Sequence, residues 1–305
     1  MADEIVKVIE LVPGTVNPLT TVQAESLDEA TFWTDFVCKH KPVLIKGAVK
    51  SWPAFELWAS AGYLESLCGD ERVGISNTFN PLPLGPYVHT AVKHKKLSEC
   101  IAEMRAASDD KTYSVPGIRV PEKWEKDLAR YSFLGEKFDR KPRIYSRRRL
   151  FVYKNGSTEW HYHPVDESIT AQLLGSKRIS LFRLTSENWR PYSQLIEANF
   201  HHMSCGKHFF PGENGIAKYE GVLEAGDAVY IPPFWWHGID PVDAKFGVTM
   251  AHCFRTPITR FGAWKDPVTR QTLRTLVESS KLFVIPFLVL LFWSSLSRMY
   301  ARQKW

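Results

Sequence analysis

The 305-residue sequence has no C-x-x-C pair, no internal repeat, no low-complexity segment and no apolar leader. Its five cysteines, Cys38, Cys68, Cys100, Cys205 and Cys253, are scattered and odd in number. That argues against a disulfide framework and for reduced thiols in a cytosolic or nuclear setting. The opening MADEIVKVIELVPG holds no signal core, so secretion is not expected. Strong charge is missing as well. The net charge is +6, carried locally by Lys46 to Lys50, His94 to Lys96, Arg147 to Arg149 and the last eight residues. Such runs are usually solvated faces, and nucleic-acid contact is the minority reading.

What is present is ordinary in bulk and unusual in detail. Hydrophobic content of 44% and charged content of 24% are typical of globular chains. The length suits one large domain or two small ones. Eleven Trp and eighteen Phe favour a β-rich interior or a walled pocket over a helical bundle.

One segment lacks charge altogether. Leu282 to Ser297, containing LFVIPFLVLLFW, is 16 residues long and is framed by Lys281 and Arg298. About 20 apolar residues span a bilayer comfortably, but flanking Lys and Arg can snorkel and Trp293 and Tyr300 suit an interface. With no charged face to make it amphipathic, residues 282–297 are expected to anchor the chain in a membrane, after a linker at 261–281. An anchor there leaves the preceding domain facing the cytosol. The short run fits a thin membrane, the endoplasmic reticulum or the outer mitochondrial membrane. The bland alternative is a helix buried in a homodimer interface.

Residues 1–140 mix helix and strand. Asp28 to His40 has helical apolar spacing with an acidic start, KPVLIKGAV at 41–49 reads as a short strand, and Leu57 to Cys68 again looks helical. From Ile144 the texture is β: RRLFVYKNG, ITAQLLG, KRISLFRL, DAVYIPP and KFGVTMAHCF are short runs of branched and aromatic residues between turns. A helical front followed by five or more strands over 141–260 predicts a mainly β sandwich or barrel with helices packed outside. Pro191 to Gly221, rich in His, Gly and Asn, reads as a long loop, and loops of that length tend to be functional.

Within NGSTEWHYHPVDE, residues 155–167, His161 and His163 are two apart. On a strand, such positions share a face, so both imidazoles can reach one ion. EAGDAVYIPPFWWHGID at 224–240 supplies a third histidine, His237, at a strand end. Lys177, in the strand after the H-x-H, is placed to meet an acidic co-substrate, and the Thr158 hydroxyl lies three residues before His161. Other residues have blander readings. His201, His202 and His208 could form a second metal cluster, but in a polar loop they are more often solvated. His252 reaches the co-substrate only if its strand register turns it inward. Trp235 and Trp236 read as wall and core, and Glu159 and Asp227 as turn or surface.

This combination resembles the JmjC family of Fe(II)- and 2-oxoglutarate-dependent oxygenases, in its smaller hydroxylase branch. The resemblance covers roughly residues 30 to 260 and rests on KPVLIKGAVKSWPAFELW and GDAVYIPPFWWHGI. It implies a cupin-like double-stranded β-helix, or jelly roll, with His161 and His237 as iron ligands. By the same resemblance Lys177 pairs with the far carboxylate of 2-oxoglutarate, and Thr158 and Tyr113 hydrogen-bond it. The implied substrate is a protein or an RNA, chosen by segments that here are Thr78 to Lys96 and Pro191 to Gly221. The departure is His163, where the family carries Asp or Glu. Three readings stay open: His163 is itself a ligand, with Glu167 completing a cupin-type set; Asp166 or Glu167 swings in as the carboxylate; or the fold survives as a pseudo-enzyme, a binding module with zinc or no metal.

Overall fold

The branched and aromatic runs form strands that pair into two principal sheets. This is a computed structural model, and it describes residues 7–60, 62–68, 71–75, 93–136, 138–142, 145–163, 166–185, 216–243, 245–256, 269–270, 273–274, 277–278 and 281–303. The strands are β1 (Thr15–Pro18), β2 (Thr21–Gln23), β3 (Val43–Lys46), β4 (Arg72–Ile75), β5 (Lys93–Lys96), β6 (Tyr113–Arg119) and β7 (Arg148–Lys154). They continue with β8 (Thr158–His161), β9 (Glu167–Leu174), β10 (Lys177–Arg183), β11 (Ala217–Leu223), β12 (Ala228–Ile231), β13 (Trp235–Pro241) and β14 (Phe246–Phe254). A five-stranded sheet runs β1-β11-β10-β13-β8, and a seven-stranded sheet runs β2-β3-β12-β9-β14-β7-β6. Leu44, Val229 and Ile231 of the larger sheet pack with Leu19, Ile179, Leu181, Leu223 and Ile239 from the side of the smaller. The two sheets thus face each other, as a jelly roll requires.

The outer face of the seven-stranded sheet carries the main core. Short helices α1 (Glu29–Thr31), α2 (Pro53–Leu57), α3 (Tyr63–Cys68), α4 (Leu97–Ala106) and α5 (Glu122–Glu125) lie in the front of the chain. Their apolar residues and those around them, including Phe32, Trp33, Trp52, Trp58, Ile101 and Trp124, pack with Val43, Leu150, Ile169 and Met250 of that sheet. Much of the aromatic excess sits here, as rings too large to bury in a small domain without a second layer.

Several expectations need correction. The single helix at 28–40 is α1, capped by Asp28 accepting from the Thr31 N–H at 2.7 Å, followed by a π-helical stretch at Phe32–Val37. The helix expected over 57–68 is the end of α2 and a separate α3. The loop expected over 191–221 ends in β11, whose alternating AKYEGVL pairs with β10 and β1. The rest of that loop, with His201, His202 and His208, and most of Thr78 to Lys96 lie outside the described residues. The front of the chain contributes strands to the larger sheet, where β3 pairs with β12 and β6 with β7.

Near the C-terminal end, a 3-10 turn at Lys281–Phe283 leads into α6 (Val284–Gln303). Phe287 and Leu291 are buried beside Leu273 and Val284. Leu282, Phe283, Ile285, Leu288, Val289, Phe292, Trp293 and Leu296 are exposed. Among the described residues no helix is long and apolar enough to cross a membrane, so a span over 282–297 finds no support there.

Candidate metal centre

The H-x-H pair and the distant histidine meet because β8 and β13 are antiparallel neighbours. His161 and His237 are direct cross-strand partners, a position that brings side chains close. Their ring centroids are 4.1 Å apart. His163 lies two residues beyond His161 on the segment leaving β8, and its carbonyl accepts the Phe234 N–H at 2.9 Å, just ahead of β13. Its ring is 5.2 Å from that of His161 and 5.0 Å from that of His237. One nitrogen from each ring lies within 4.8 Å of the other two.

Hydrogen bonds at Nδ1 favour the other ring nitrogen as the ligand atom. His161 Nδ1 is 2.9 Å from the Glu159 carbonyl, and His237 Nδ1 is 3.0 Å from the Trp235 carbonyl. A carbonyl only accepts, so each contact is a hydrogen bond in the tautomer with hydrogen on Nδ1, the form in which Nε2 is the ligating atom. Such an outer hydrogen bond holds a ligating imidazole in one tautomer and orientation. Three neutral imidazoles suit a divalent ion such as Fe(II) or Zn(II). Among the described residues no carboxylate joins the set. Glu167 is occupied elsewhere, accepting from Tyr230 Oη and Thr256 Oγ1 at 2.7 Å each. Asp166 accepts the Tyr145 N–H at 3.1 Å. Both carboxylates of HYHPVDE thus hold the fold, and the cluster is His161, His163 and His237.

The three histidines line a cavity of about 240 Å³ between the sheets, shared with Thr158, Lys177 and Arg149. Lys177 is 4% exposed, and its Nζ lies 3.6 Å from the centre of the Tyr153 ring. Burial drives its pKa down from 10.5 to about 7, against an opposing pull from Asp240. Desolvation outweighs both the carboxylate and the aromatic face. The Tyr153 platform is itself fixed: its Oη accepts from Gln172 Nε2 at 2.6 Å. Gly247 makes room for it, since a Cβ there would come within 2.1 Å of the tyrosine Cζ. Asp240 faces the N-terminal segment, accepting from the Val8 and Ile9 N–H groups at 2.9 and 3.0 Å and from Ser157 Oγ at 2.7 Å.

The other residues singled out in the sequence fall as follows. Tyr113 packs against the main core, and its neighbour Ser114 lines the cavity instead. Glu159, read as a surface residue, is buried and lines the cavity. His252 does not reach it. Thr249, Ala251 and Cys253 line the cavity from β14, so period-two alternation turns His252 to the outer face. There its Nε2 lies 3.0 Å from Asp139 Oδ1 and its ring packs on Tyr131. Asp227 is a turn residue as expected, but a buried one, accepting from Gly47 N at 2.9 Å and Lys46 Nζ at 2.5 Å. Trp236 is core, stacked on Phe182, and Trp235 donates to the His40 carbonyl.

The profile of the cupin-like domain matches residues 29–260. The chain belongs to the cupin-like (JmjC) domain family. Curated relatives include lysine-specific demethylase JMJ30 of Arabidopsis thaliana, 24% identical over 72% of this chain and 51% of that protein. The tRNA wybutosine-synthesizing protein 5 of Gallus gallus is 26% identical over 75% of this chain and 76% of its own length. JmjC domain-containing protein D of Dictyostelium discoideum is 24% identical over 73% of this chain and 53% of its own. The chain therefore spans about half the length of two of these relatives and about three quarters of the third. Membership of this family accounts for the cavity between the sheets and for the H-x-x and distal His positions.

Proposed function

We propose that the chain is an Fe(II)- and 2-oxoglutarate-dependent oxygenase that hydroxylates a protein or RNA substrate. The observation that carries this reading is the convergence of three histidine nitrogens and one buried lysine in a single cavity. Iron and 2-oxoglutarate, when bound, supply the activation of O2 and the oxidation of a C–H bond. The chain's own residues do the rest. His161, His163 and His237 would hold the ion, and backbone carbonyls orient the rings of His161 and His237. Lys177 receives the far carboxylate, and Thr158 adds a hydroxyl to the same wall. Phe151, Ile239 and Ala251 exclude water around them, which strengthens each charged contact.

His163 supports a second reading. With imidazole replacing carboxylate, the site with a divalent ion is one unit more positive and better suited to Zn(II). On that reading the chain is a binding module of the same fold. Anaerobic titration of the full-length protein with Fe(II), then with 2-oxoglutarate, separates the two. The oxygenase reading expects one ion and one 2-oxoglutarate per chain, with consumption of 2-oxoglutarate once O2 is admitted. Stoichiometric zinc with no uptake of 2-oxoglutarate leaves the binding module.

We further infer that the chain attaches to a membrane, on its cytosolic side, through the exposed face of α6. Ile285, Leu288, Val289, Phe292, Trp293 and Leu296 follow helical i, i+3, i+4 spacing, are all exposed and carry no charge. That stripe suits burial at the bilayer interface.

A further inference from the structure

We propose that Arg149 is a second anion-binding position in the cavity, gripping an oxyanion of the primary substrate separately from the co-substrate position at Lys177. The inference rests on the oxygenase reading for the word substrate, but the anion position stands on geometry of its own.

The sequence run Arg147–Arg149 looks like one basic surface, and two of its members behave so. Arg147 pairs with Asp139 and Arg148 with Glu125, each at 2.5 Å. Arg149 differs: among the described residues it makes no ion pair, and it lines the cavity. Its Cζ lies 4.7 Å from the centre of the Tyr145 ring and 5.0 Å from that of Phe151. Two aromatic faces thus hold the planar guanidinium while leaving its N–H edge unclaimed by a carboxylate, the geometry that receives a carboxylate or phosphate bidentately. The neighbouring strand β6 is cut away to fit. A Cβ on Gly117 would stand 2.6 Å from Arg149 Nη2 and 2.8 Å from its Nε, so a larger residue there would displace the guanidinium from this position.

The two cations are at different levels of the barrel. On β7, Arg149, Phe151 and Tyr153 share one face, and Lys177 sits over Tyr153. Arg149 is four residues away, about 13 Å along the strand at ~3.3 Å per residue. The register of β10 against β13 agrees, for Leu181 stands opposite His237 while Lys177 stands opposite Pro241. Arg149 belongs instead to the metal end: the Tyr145 ring that it covers lies 5.0 Å from the ring of His163. A diacid with its far end on Lys177 reaches toward the metal from one side. Arg149 is left to orient the molecule to be oxidised from the other.

The test uses full-length protein saturated with 2-oxoglutarate, with inorganic phosphate and acetate as probes, followed by ligand-observed NMR. Wild type is expected to bind at least one probe, the tighter one naming phosphate or carboxylate as the source. Arg149→Gln is expected to weaken that probe about ten- to a hundredfold and leave 2-oxoglutarate affinity within about twofold. Arg149→Lys is expected to recover only part, because charge returns without the planar edge. If Arg149→Gln weakens 2-oxoglutarate as strongly as Lys177→Ala does, the arginine belongs to the co-substrate grip and the proposal is overturned. Failure of both probes to bind wild type overturns it as well. If 2-oxoglutarate fails to bind while a probe binds in an Arg149-dependent way, the oxygenase reading falls and the anion position survives.

Discussion

The cavity and the C-terminal helix depart from ordinary burial in opposite directions. In the cavity Lys177 is 4% exposed, in a place where an aliphatic side chain would be cheaper. Leu282, in the turn before α6, is 90% exposed and Ile285, on α6, is 73% exposed, in a place where a polar side chain would be cheaper. A buried cation and an exposed apolar stripe are the two kinds of residue that the folding of one chain does not explain. Each therefore points to something outside the chain. The cavity asks for an anion, and the helix asks for an apolar surface.

The largest effect expected lies at the cluster. His237→Ala removes the cross-strand partner of His161 and leaves two imidazoles, too few for tight binding of a divalent ion. Metal analysis of the purified protein should show most of the ion lost, with the circular dichroism spectrum retained. Stoichiometric metal in this variant would remove His237 from the site. His163→Asp sharpens the same point. It restores the family's carboxylate, and is expected to keep the ion and raise 2-oxoglutarate consumption. A fall in consumption, at equal metal content, would make imidazole part of the working site.

The second effect breaks the comparison at its other end. Phe292→Glu and Leu288→Glu place charges on exposed positions of α6, so they should change folding stability by no more than about 0.5 kcal/mol. They should nevertheless release the protein from liposomes in a flotation assay. If wild type does not float and instead sediments as a dimer that these variants dissociate, the stripe is an interface with a second copy.

How much of this was legible follows from what a local pattern can carry. His161 and His163 were readable because period two fixes their shared face, and His237 because a distinctive motif surrounds it. Lys177 was readable by its place after the H-x-H strand. What escaped depended on parity or on distant partners. Tyr113 and Ser114 differ by one residue, and one residue reverses the face. His252 depended on the same parity, and the register of β14 turns it outward. Arg149 was hidden in a run whose other two members are ordinary ion-paired arginines. β6 contains Pro116 and Gly117, which read as a break. β1 and β2 pair in parallel with β11 and β3, and no local signal announces such a partner. Glu167 looked like a ligand from spacing alone, and only Tyr230 and Thr256, far along the chain, show where its carboxylate goes.

The smallest effect, less than one proton, tests whether the buried cation is built for an anion. Lys177 is held at a pKa of about 7 by burial, below its ordinary 10.5. For a lysine the depressed value means that the folded protein disfavours the charged form. In ligand-free protein its burden on stability is absent above pH 10.5, grows as pH falls toward 7, and is constant below that. A carboxylate placed beside it reverses the preference and raises its pKa. At pH 8 the free protein carries Lys177 mostly neutral, so binding of 2-oxoglutarate should take up most of one proton; at pH 6 it should take up almost none. Calorimetry at each pH in two buffers of different ionisation heat gives the proton count directly. Lys177→Met should abolish the uptake, weaken 2-oxoglutarate about ten- to a hundredfold, and leave metal content unchanged. An uptake at pH 8 that persists in Lys177→Met would assign the proton to another group and detach the lysine from the co-substrate.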